Sequence, residues 1–390
     1  MDATLLRKEL RFARVDVRHM FPSWARSAAN REHILEELLV ALEPNIHEGL
    51  IPHYGSIIVP ADSQLPSLLP MQQEFHALAR EAADGSAAVM AWEERDFRGL
   101  FLVGPSDAPE LQLIQVVRRL QGIAIRRQRS GVVNLYSSTG NLKHLARRWT
   151  VSPPVGQAVN RIRAVAPMVD GDQLTALLDF AYYVLSPWGI GATLVWILSE
   201  REGEVEPVNL RPLSLNISPA VEGPSLGFIA HLLAQHDGAT IISNVGTFLA
   251  TGVHLTPSPE AQRFVPPLTG MRHTSASRAS YDLSDALIIT VSADGPVTVF
   301  SDGANIFELR WYSADREAEA MHRAYGEPVE DAVFTDGRQK RCGKCGKTSF
   351  IEILTVAGYR DHEEAHCPIC GEEIDSAMCF QIHANIRKTF

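Results

Sequence analysis

The sequence predicts a mixed α/β protein of three unequal units, and three observations carry that prediction. First, 390 residues exceed one ordinary domain, for which roughly 100–200 residues is the usual size. Second, short β-branched runs alternate with amphipathic helical stretches over most of the chain. The strands outnumber the helices and several are joined as hairpins, so twisted mixed sheets flanked by helices are expected. Third, all five cysteines fall between Cys342 and Cys379, which sets the C-terminal stretch apart. An apolar fraction of 45% supports real cores, and 21% charged residues is ordinary for a globular chain. Disorder, collagen-like repeats and a disulfide scaffold are excluded.

The same counts bound function. A formal net charge of −10 argues against coating nucleic acid by bulk electrostatics. The opening residues mix charges throughout and contain no apolar core segment, so no secretory signal is expected. Cysteines clustered in one place read as a local metal site in a reducing compartment, hence a cytoplasmic location.

Residues 1–165 form the first expected unit, an N-terminal α/β domain with a sensory or regulatory role as the working expectation. Apolar spacing predicts helices over 31–43, 72–83 and 109–128, and strands over 56–59, 87–92, 99–103 and 131–137. Arg118, Arg119, Arg126, Arg127 and Arg129 then read as the solvated end of the third helix rather than an anion site. The turn-rich stretches 151–156 and 169–173 mark the boundary.

The second unit spans residues 170–325. Its first segment, 180–199, carries no charge and is long enough to cross a bilayer. Pro187, Gly189 and Gly191 interrupt it, and acidic rather than basic residues flank it, so a helix, a turn and a buried strand are expected and no membrane association. Strand-like pieces follow around 208–216. Next come a helix over 224–235, strands at 239–243 and 247–255, a helix from about Thr274, and a hairpin of 286–292 with 297–300.

The third unit, 336–390, holds two knuckles, Cys342-Gly-Lys-Cys345 and Cys367-Pro-Ile-Cys370, each followed by a glycine. Gly346 and Gly371 let the chain turn tightly enough for both thiolates of a pair to face one ion. Four thiolates in a tetrahedron are the donor set of a structural Zn²⁺, and the strand-like residues between the pairs suit a zinc ribbon. Free or redox-active thiols are the alternative. Cys379 reads as a spare buried residue, with His362 and His366 as fallback ligands. Acidic and basic residues balance here, although Arg338, Lys340 and Arg341 form a short basic strip. Structural or protein-contact use is favoured over nucleic acid.

Two stretches of the middle unit carry candidate chemistry. Asp-Gly-Ala occurs twice, at 237–239 and 302–304. The second copy follows a strand and reads as a hairpin turn. The first follows a helix and opens a buried strand, where Gly238 permits close backbone approach by a ligand. Downstream, Gly270-Met271-Arg272-His273-Thr274-Ser275-Ala276-Ser277-Arg278 runs from loop into helix. Its free N–H groups, hydroxyls, imidazole and guanidinium groups suit a polyphosphate, and an ordinary capped surface helix fits them as well.

In order, HDGATIIS, ATGVHLTPSPE, GMRHTSASRAS and SDALIITVSADGPVTVFSDG closely resemble the diadenylate cyclase (DAC) domain, over about residues 172–315. The family's hallmarks are a D-G-A motif, a downstream R-H-R motif and a strand ending in V-S. The resemblance implies a nucleotidyltransferase that condenses two ATP to the second messenger cyclic di-AMP with release of two pyrophosphates. Two domains would face each other in a homo-oligomer, each holding one ATP. It further implies that Asp237 binds a catalytic Mg²⁺ or Mn²⁺ and orients the attacking hydroxyl. Arg272 and His273 would hold the phosphates. Gly238, Ala239, Leu255, Met271, Thr274, Ser275, Arg278 and Ser292 would line the nucleotide.

This chain departs from the pattern in places. Thr274 replaces the last arginine of R-H-R, and one lost guanidinium is worth about 2–4 kcal/mol of transition-state stabilisation. Arg278, one turn on, shares a helix face with Thr274 and is the expected compensation. Met271 stands where Thr is common, and Ala293 where membrane-bound relatives carry Glu. His236 precedes the D-G-A as in some relatives. A catalytically weak nucleotide sensor and a zinc-ribbon nucleic-acid regulator are the rival readings.

Overall fold

The computed structural model describes residues 6, 10, 21–43, 52–103, 109–128, 130–145, 148–199, 225–268, 270–292, 296–310, 312–313, 333–355, 361–379 and 381–385. The strand expected around 208–216 and the position of Ala293 lie outside them. The chain divides into two compact units, and the fold is mixed α/β, as the sequence predicts.

The N-terminal unit is built on a mixed sheet. Its strands are β1 (Tyr54–Val59), β2 (Leu68–Pro70), β3 (Ala88–Glu93), β4 (Asp96–Leu102), β5 (Ile123–Arg127), β6 (Val133–Ser137), β7 (Asn141–Leu145) and β8 (Arg148–Ser152), with β15 (Tyr312–Ser313) added at the edge. The order is β15-β8-β7-β6-β5-β1-β3-β4-β2. Only β1 and β3 among these pairs run parallel. Helix α1 (Ala28–Leu42) puts Ile34, Leu35 and Leu38 into one core cluster with Ile58, Ile125 and Leu135. Ser27 caps it by accepting from Asn30 N at 3.1 Å. A short helix, α2 (His76–Ala82), belongs to the same side. On the other face α3 (Pro109–Leu120) packs Leu113 and Val117 against Ile57, Val59 and Ala124.

The helix expected over 109–128 therefore ends at Leu120, and its second half is the central strand β5. Gln121 takes a φ of +53°, and Gly122 N closes back on Val117 O at 2.8 Å, a left-handed helix stop. A Cβ at Gly122 would stand 3.0 Å from Ile58 O, so the chain passes close to β1 there. Arg126 and Arg127 are consequently buried, not solvated. Arg126 pairs with Glu110 at 3.0 Å. Arg127 donates to the carbonyls of Val40 and Ala41 at 2.9 and 3.0 Å, satisfying the open end of α1.

The second unit holds a six-stranded sheet of order β11-β10-β9-β12-β13-β14. The strands are β9 (Ala192–Ile197), β10 (Ala239–Ile242), β11 (Phe248–Val253), β12 (Ala286–Val291), β13 (Val297–Ser301) and β14 (Ala304–Leu309). Helices α4 (Val155–Val165), α5 (Gly171–Phe180), α6 (Ser225–Gln235), α7 (Pro259–Phe264) and α8 (Met271–Asp282) belong to it. Asp170 caps α5 through Asp172 N and Gln173 N. The uncharged stretch 180–199 is broken as expected. Helix α5 widens into a π-helical turn at Ala181–Leu185, Gly189 turns the chain with φ +67°, and β9 follows. No helix among the described residues is long and apolar enough to cross a membrane. Helix α8 lays Ala276 and Ala279 on a sheet face made by Val195, Ile288 and Phe300.

The C-terminal part of this unit has a three-stranded sheet, β16 (Val333–Arg341), β17 (Thr348–Thr355) and β20 (Gln381–Asn385), and a hairpin of β18 (Asp361–His366) with β19 (Glu373–Cys379).

Candidate functional site

Strand directions gather the candidate residues at one end of the six-stranded sheet. β9 runs parallel to β10 and antiparallel to β12, while β11 and β13 run antiparallel to β10 and β12. The starts of β9, β10 and β13 and the finishes of β11 and β12 therefore share one end. Asp237 and Gly238 lead into β10 there, and Leu255 and Ser292 follow β11 and β12. Helix α8 brings its first turn to the same place.

Asp237 is exposed, and its Oδ1 accepts from Gly238 N at 3.1 Å. Gly238 has a φ of +109°, and a Cβ on it would meet Gly252 C at 2.8 Å and Val253 O at 2.9 Å. Both facts demand glycine: the D-G step and β11 touch backbone to backbone. Ala239 is buried where it enters the strand.

Arg272 reaches across to the end of β12, where Nη1 donates to Val291 O at 3.5 Å. A Cβ at Gly191, just before β9, would stand 2.2 Å from that Nη1. The guanidinium thus occupies the space that a side chain at 191 would fill. His273 Nε2 lies 3.3 Å from Thr298 Oγ1, and its ring meets Phe300 edge-on at 5.9 Å. Thr298 ends a row of buried threonines, paired in register as Thr193↔Thr290 and Thr290↔Thr298. The face under α8 is apolar further along the strands and changes to hydroxyls at the site end.

The rest of the motif lies close by. Thr274 Oγ1 is 3.0 Å from Leu268 O and 3.1 Å from Gly270 O, and it accepts from Leu268 N at 3.0 Å, so it clasps the loop entering α8. Ser275 donates to Arg272 O at 3.1 Å. Arg278 Nε donates to Val265 O at 3.1 Å. Met271 is 90% exposed, and Leu255 is half-buried. Ser292 N donates to Pro296 O at 3.0 Å. The second Asp-Gly forms the turn between β13 and β14, with φ +48° at Asp302 and +84° at Gly303, a primed hairpin turn as expected.

Gly191 and Thr298 escaped the motif reading. Gly191 offered only a turn-like G-I-G before a buried strand. Thr298 offered one polar residue in the otherwise apolar run VTVF.

The four cysteines form a second centre. Among the described residues, the Sγ atoms of Cys342, Cys345, Cys367 and Cys370 lie within 4.8 Å of one another. Cys342–Cys370 and Cys345–Cys367 approach to 3.5 and 3.6 Å. Metal–sulfur bonds of about 2.3 Å in a tetrahedron set sulfurs roughly 3.8 Å apart, so this donor set fits a thiophilic ion. The two knuckles are near copies. Gly346 N donates to Cys342 O at 3.0 Å and Gly371 N to Cys367 O at 2.9 Å, and both glycines have φ +72°. Burial pushes the Cys345 and Cys367 thiols up. At Cys342 burial acts the same way, but the N–H groups of Cys345 and Lys344 outweigh it and hold the thiol at about 7. His362 and His366 are exposed, and His366 lies 3.6 Å from Glu364. The side chain of Cys379 lies outside the described residues.

Residues 182–305 match the family model described as DAC, DisA bacterial checkpoint controller nucleotide-binding. Residues 19–152 match the one described as probable sensor domain DACNK. None of the curated proteins matches the chain. The chain therefore carries a DAC-family nucleotide-binding domain on its six-stranded sheet, preceded by a DACNK sensor-type domain and followed by a four-cysteine unit that fits a zinc ribbon.

Proposed function

We propose that this protein is a metal-dependent diadenylate cyclase. The observation that carries the reading is the meeting of Asp237-Gly238, Arg272 in its glycine-walled slot, and His273 on Thr298 at one sheet end. A carboxylate, a guanidinium and an imidazole gathered at one strand end are the groups needed to orient the one ATP that each domain holds. In the proposed reaction the 3′-oxygen of each ATP bonds to the α-phosphorus of the other, the α–β bridging bond breaks, and pyrophosphate leaves with its electrons. Each new phosphodiester releases one hydroxyl proton. Neither half can close without the other, so the active form is two domains face to face in a homo-oligomer.

Asp237 would hold the Mg²⁺ or Mn²⁺, which supplies charge neutralisation at the phosphates when bound. Arg272 would take the charge that develops on departing pyrophosphate. The nucleotide would pass along the Gly238–Ala239 backbone toward Leu255, with Ser292 closing the pocket and Met271, Thr274, Ser275 and Arg278 on the α8 side. Zn²⁺ is the ion proposed for the four cysteines, and the cytoplasm the compartment that keeps them reduced. Incubation of the full chain with ATP and Mn²⁺ or Mg²⁺ should yield cyclic di-AMP and pyrophosphate by mass spectrometry. Absence of product across metals and pH, or an undiminished yield from Asp237→Asn, would refute the assignment.

One observation favours a second reading. Thr274 brings a hydroxyl bonded to the loop backbone in place of the third guanidinium of R-H-R, and Arg278, the expected replacement, is tethered through Nε to Val265 O. A nucleotide sensor without turnover is the consequence, and saturable ATP binding without pyrophosphate release is its signature.

A further inference from the structure

The helix that carries Arg272 and His273 ends on the cysteine unit. Cys342, Cys345, Cys367 and Ile369 share one buried cluster with Val265 and Tyr281. Tyr281 is the penultimate residue of α8. Its ring stacks on Phe264 of α7 at 6.5 Å, and Lys347, two residues past the first knuckle, sets Nζ 4.5 Å over its centroid. Gly303 of the hairpin turn completes the seat. Ser277 donates to Gly303 O at 2.7 Å, Gly303 N donates to Ser280 at 3.0 Å, and a Cβ at 303 would stand 2.9 Å from Val265 Cγ2. Arg278 adds its bond to Val265 O. The C-terminal turns of α8 are thus held by three neighbours, and the cysteine unit is the one that carries a metal donor set.

We infer that the metal-loaded knuckles position α8, with Tyr281 as the positioning residue, so that filling the cysteine site sets the placement of Arg272 and His273. An α-helix rises 1.5 Å per residue, which puts Tyr281 about 14 Å from Arg272 along one rigid rod. A shift at one end therefore arrives at the other. Without the ion the two knuckles lose the bonds that fix them to each other, and the seat under Tyr281 loosens. The consequence for turnover rests on the cyclase reading, whereas the consequence for the helix does not.

The test uses the full chain with its metal content measured, before and after chelation and after return of Zn²⁺, with Mg²⁺ restored throughout. Amide exchange by mass spectrometry should rise over 271–282 when the ion is removed, stay level over β12 (286–291), and recover on return of Zn²⁺. Pyrophosphate release at saturating ATP should fall roughly tenfold or more, the size of effect that a displacement near 1 Å brings. Tyr281→Ala should reproduce both changes with the metal still bound, and Tyr281→Phe, which keeps the ring, should restore them. Lys347→Ala, which removes the half-buried cation over the Tyr281 ring and keeps the ring itself, should cost about two- to fivefold. Unchanged exchange over 271–282 in the metal-free chain overturns the inference, and so does an equal rise over β12. If the helix responds to the metal but the wild-type chain never releases pyrophosphate, the cyclase reading falls and the positioning of α8 stands.

Discussion

The two large sheets handle buried polarity in opposite ways. In the strands of the nine-stranded sheet the buried polar residues include two arginines and two asparagines, Arg126, Arg127, Asn134 and Asn141. In the strands of the six-stranded sheet the buried polar residues among those described are all Ser or Thr. The N-terminal unit brings charges inside and neutralises them with groups on the helices packed against the sheet. Glu110 takes Arg126 and the Tyr136 hydroxyl, while buried Glu37 takes Arg80 at 2.7 Å and the Tyr54 hydroxyl. The second sheet keeps charge out of its interior and stations Asp237, Arg272 and His273 at one end. Charges that satisfy one another hold a fold; the groups at the strand end are, in the proposed reading, the ones that meet the nucleotide.

The largest expected effect breaks the first arrangement. Glu110→Ala removes the carboxylate that buried Arg126 and the Tyr136 hydroxyl share, leaving Arg126 its bond to Ser86 Oγ but no counter-charge in that pair, and losing one partner of a buried pair costs about 3–5 kcal/mol. The unfolding transition of the N-terminal unit in a calorimetric scan should fall accordingly, whereas an exposed pair such as Arg98–Glu93 should cost under about 1 kcal/mol. Arg272→Ala tests the opposite case. It should leave the thermal midpoint unchanged and reduce cyclic di-AMP formation by about 10²–10³-fold, the range for removing one charge-stabilising donor. A fall in stability instead would mean that Arg272 serves the fold through Val291.

Gly191→Ala sharpens the same division. Its Cβ collides only with the tip of a flexible side chain, all three nearest atoms being Arg272 guanidinium atoms, so the fold should survive. The guanidinium must move, and turnover should fall roughly tenfold or more while the midpoint stays put. Gly238→Ala is the contrasting control, because its Cβ meets backbone at 2.8 Å in a φ of +109°. That variant should lose stability as well as activity. A smaller effect is expected for Thr298→Val, which keeps the shape and removes the hydroxyl beside His273. One hydrogen bond of about 0.5–1.5 kcal/mol corresponds to a two- to tenfold loss, and the pH profile of turnover should shift with it. An unshifted profile would assign Thr298 to packing alone.

What could be read from the chain was what lies close together in it. Each knuckle is four residues followed by its own glycine turn, and both the D-G-A step and the R-H-T loop are continuous. Hairpins at 286–300 and 301–304 follow from local turn chemistry. Strand β5 was hidden because Ile123 and Ile125 continue an apolar pattern begun in α3, and two adjacent arginines look like surface. The left-handed stop at Gln121-Gly122 and the acceptors waiting at Glu110, Val40 and Ala41 reverse that reading. Gly191 was hidden for a different reason. Its importance is the absence of an atom in front of a residue that arrives only when α8 packs over β9 and β12. That the Thr274 hydroxyl also bonds the backbone of Leu268 and Gly270 was not legible, because it depends on how the chain enters α8.

The smallest expected effect returns to the N-terminal sheet and its histidines. His33 is buried against Trp92 at 4.5 Å, and burial lowers its pKa, with Glu37 and Glu36 pulling the other way and Arg95 assisting. His76 is lowered too, by burial and by Arg80. Below the ordinary value of 6.5 the unfolded chain takes up protons that these rings refuse, so the folded state loses stability as pH falls through 6.5 toward their lower folded values. Glu110 works against this. Its pKa is raised by burial, and acidification relieves the cost of its buried charge. The bare pH curve therefore mixes both, and the informative quantity is the difference between wild type and His33→Gln. Each unit of pKa separation is worth about 1.4 kcal/mol, so the wild-type midpoint should drop a few degrees more than the variant's between pH 7.5 and 5.5. Parallel curves would mean that the His33 ring protonates in place, with Glu37 and Glu36 close enough to hold the charge inside the fold.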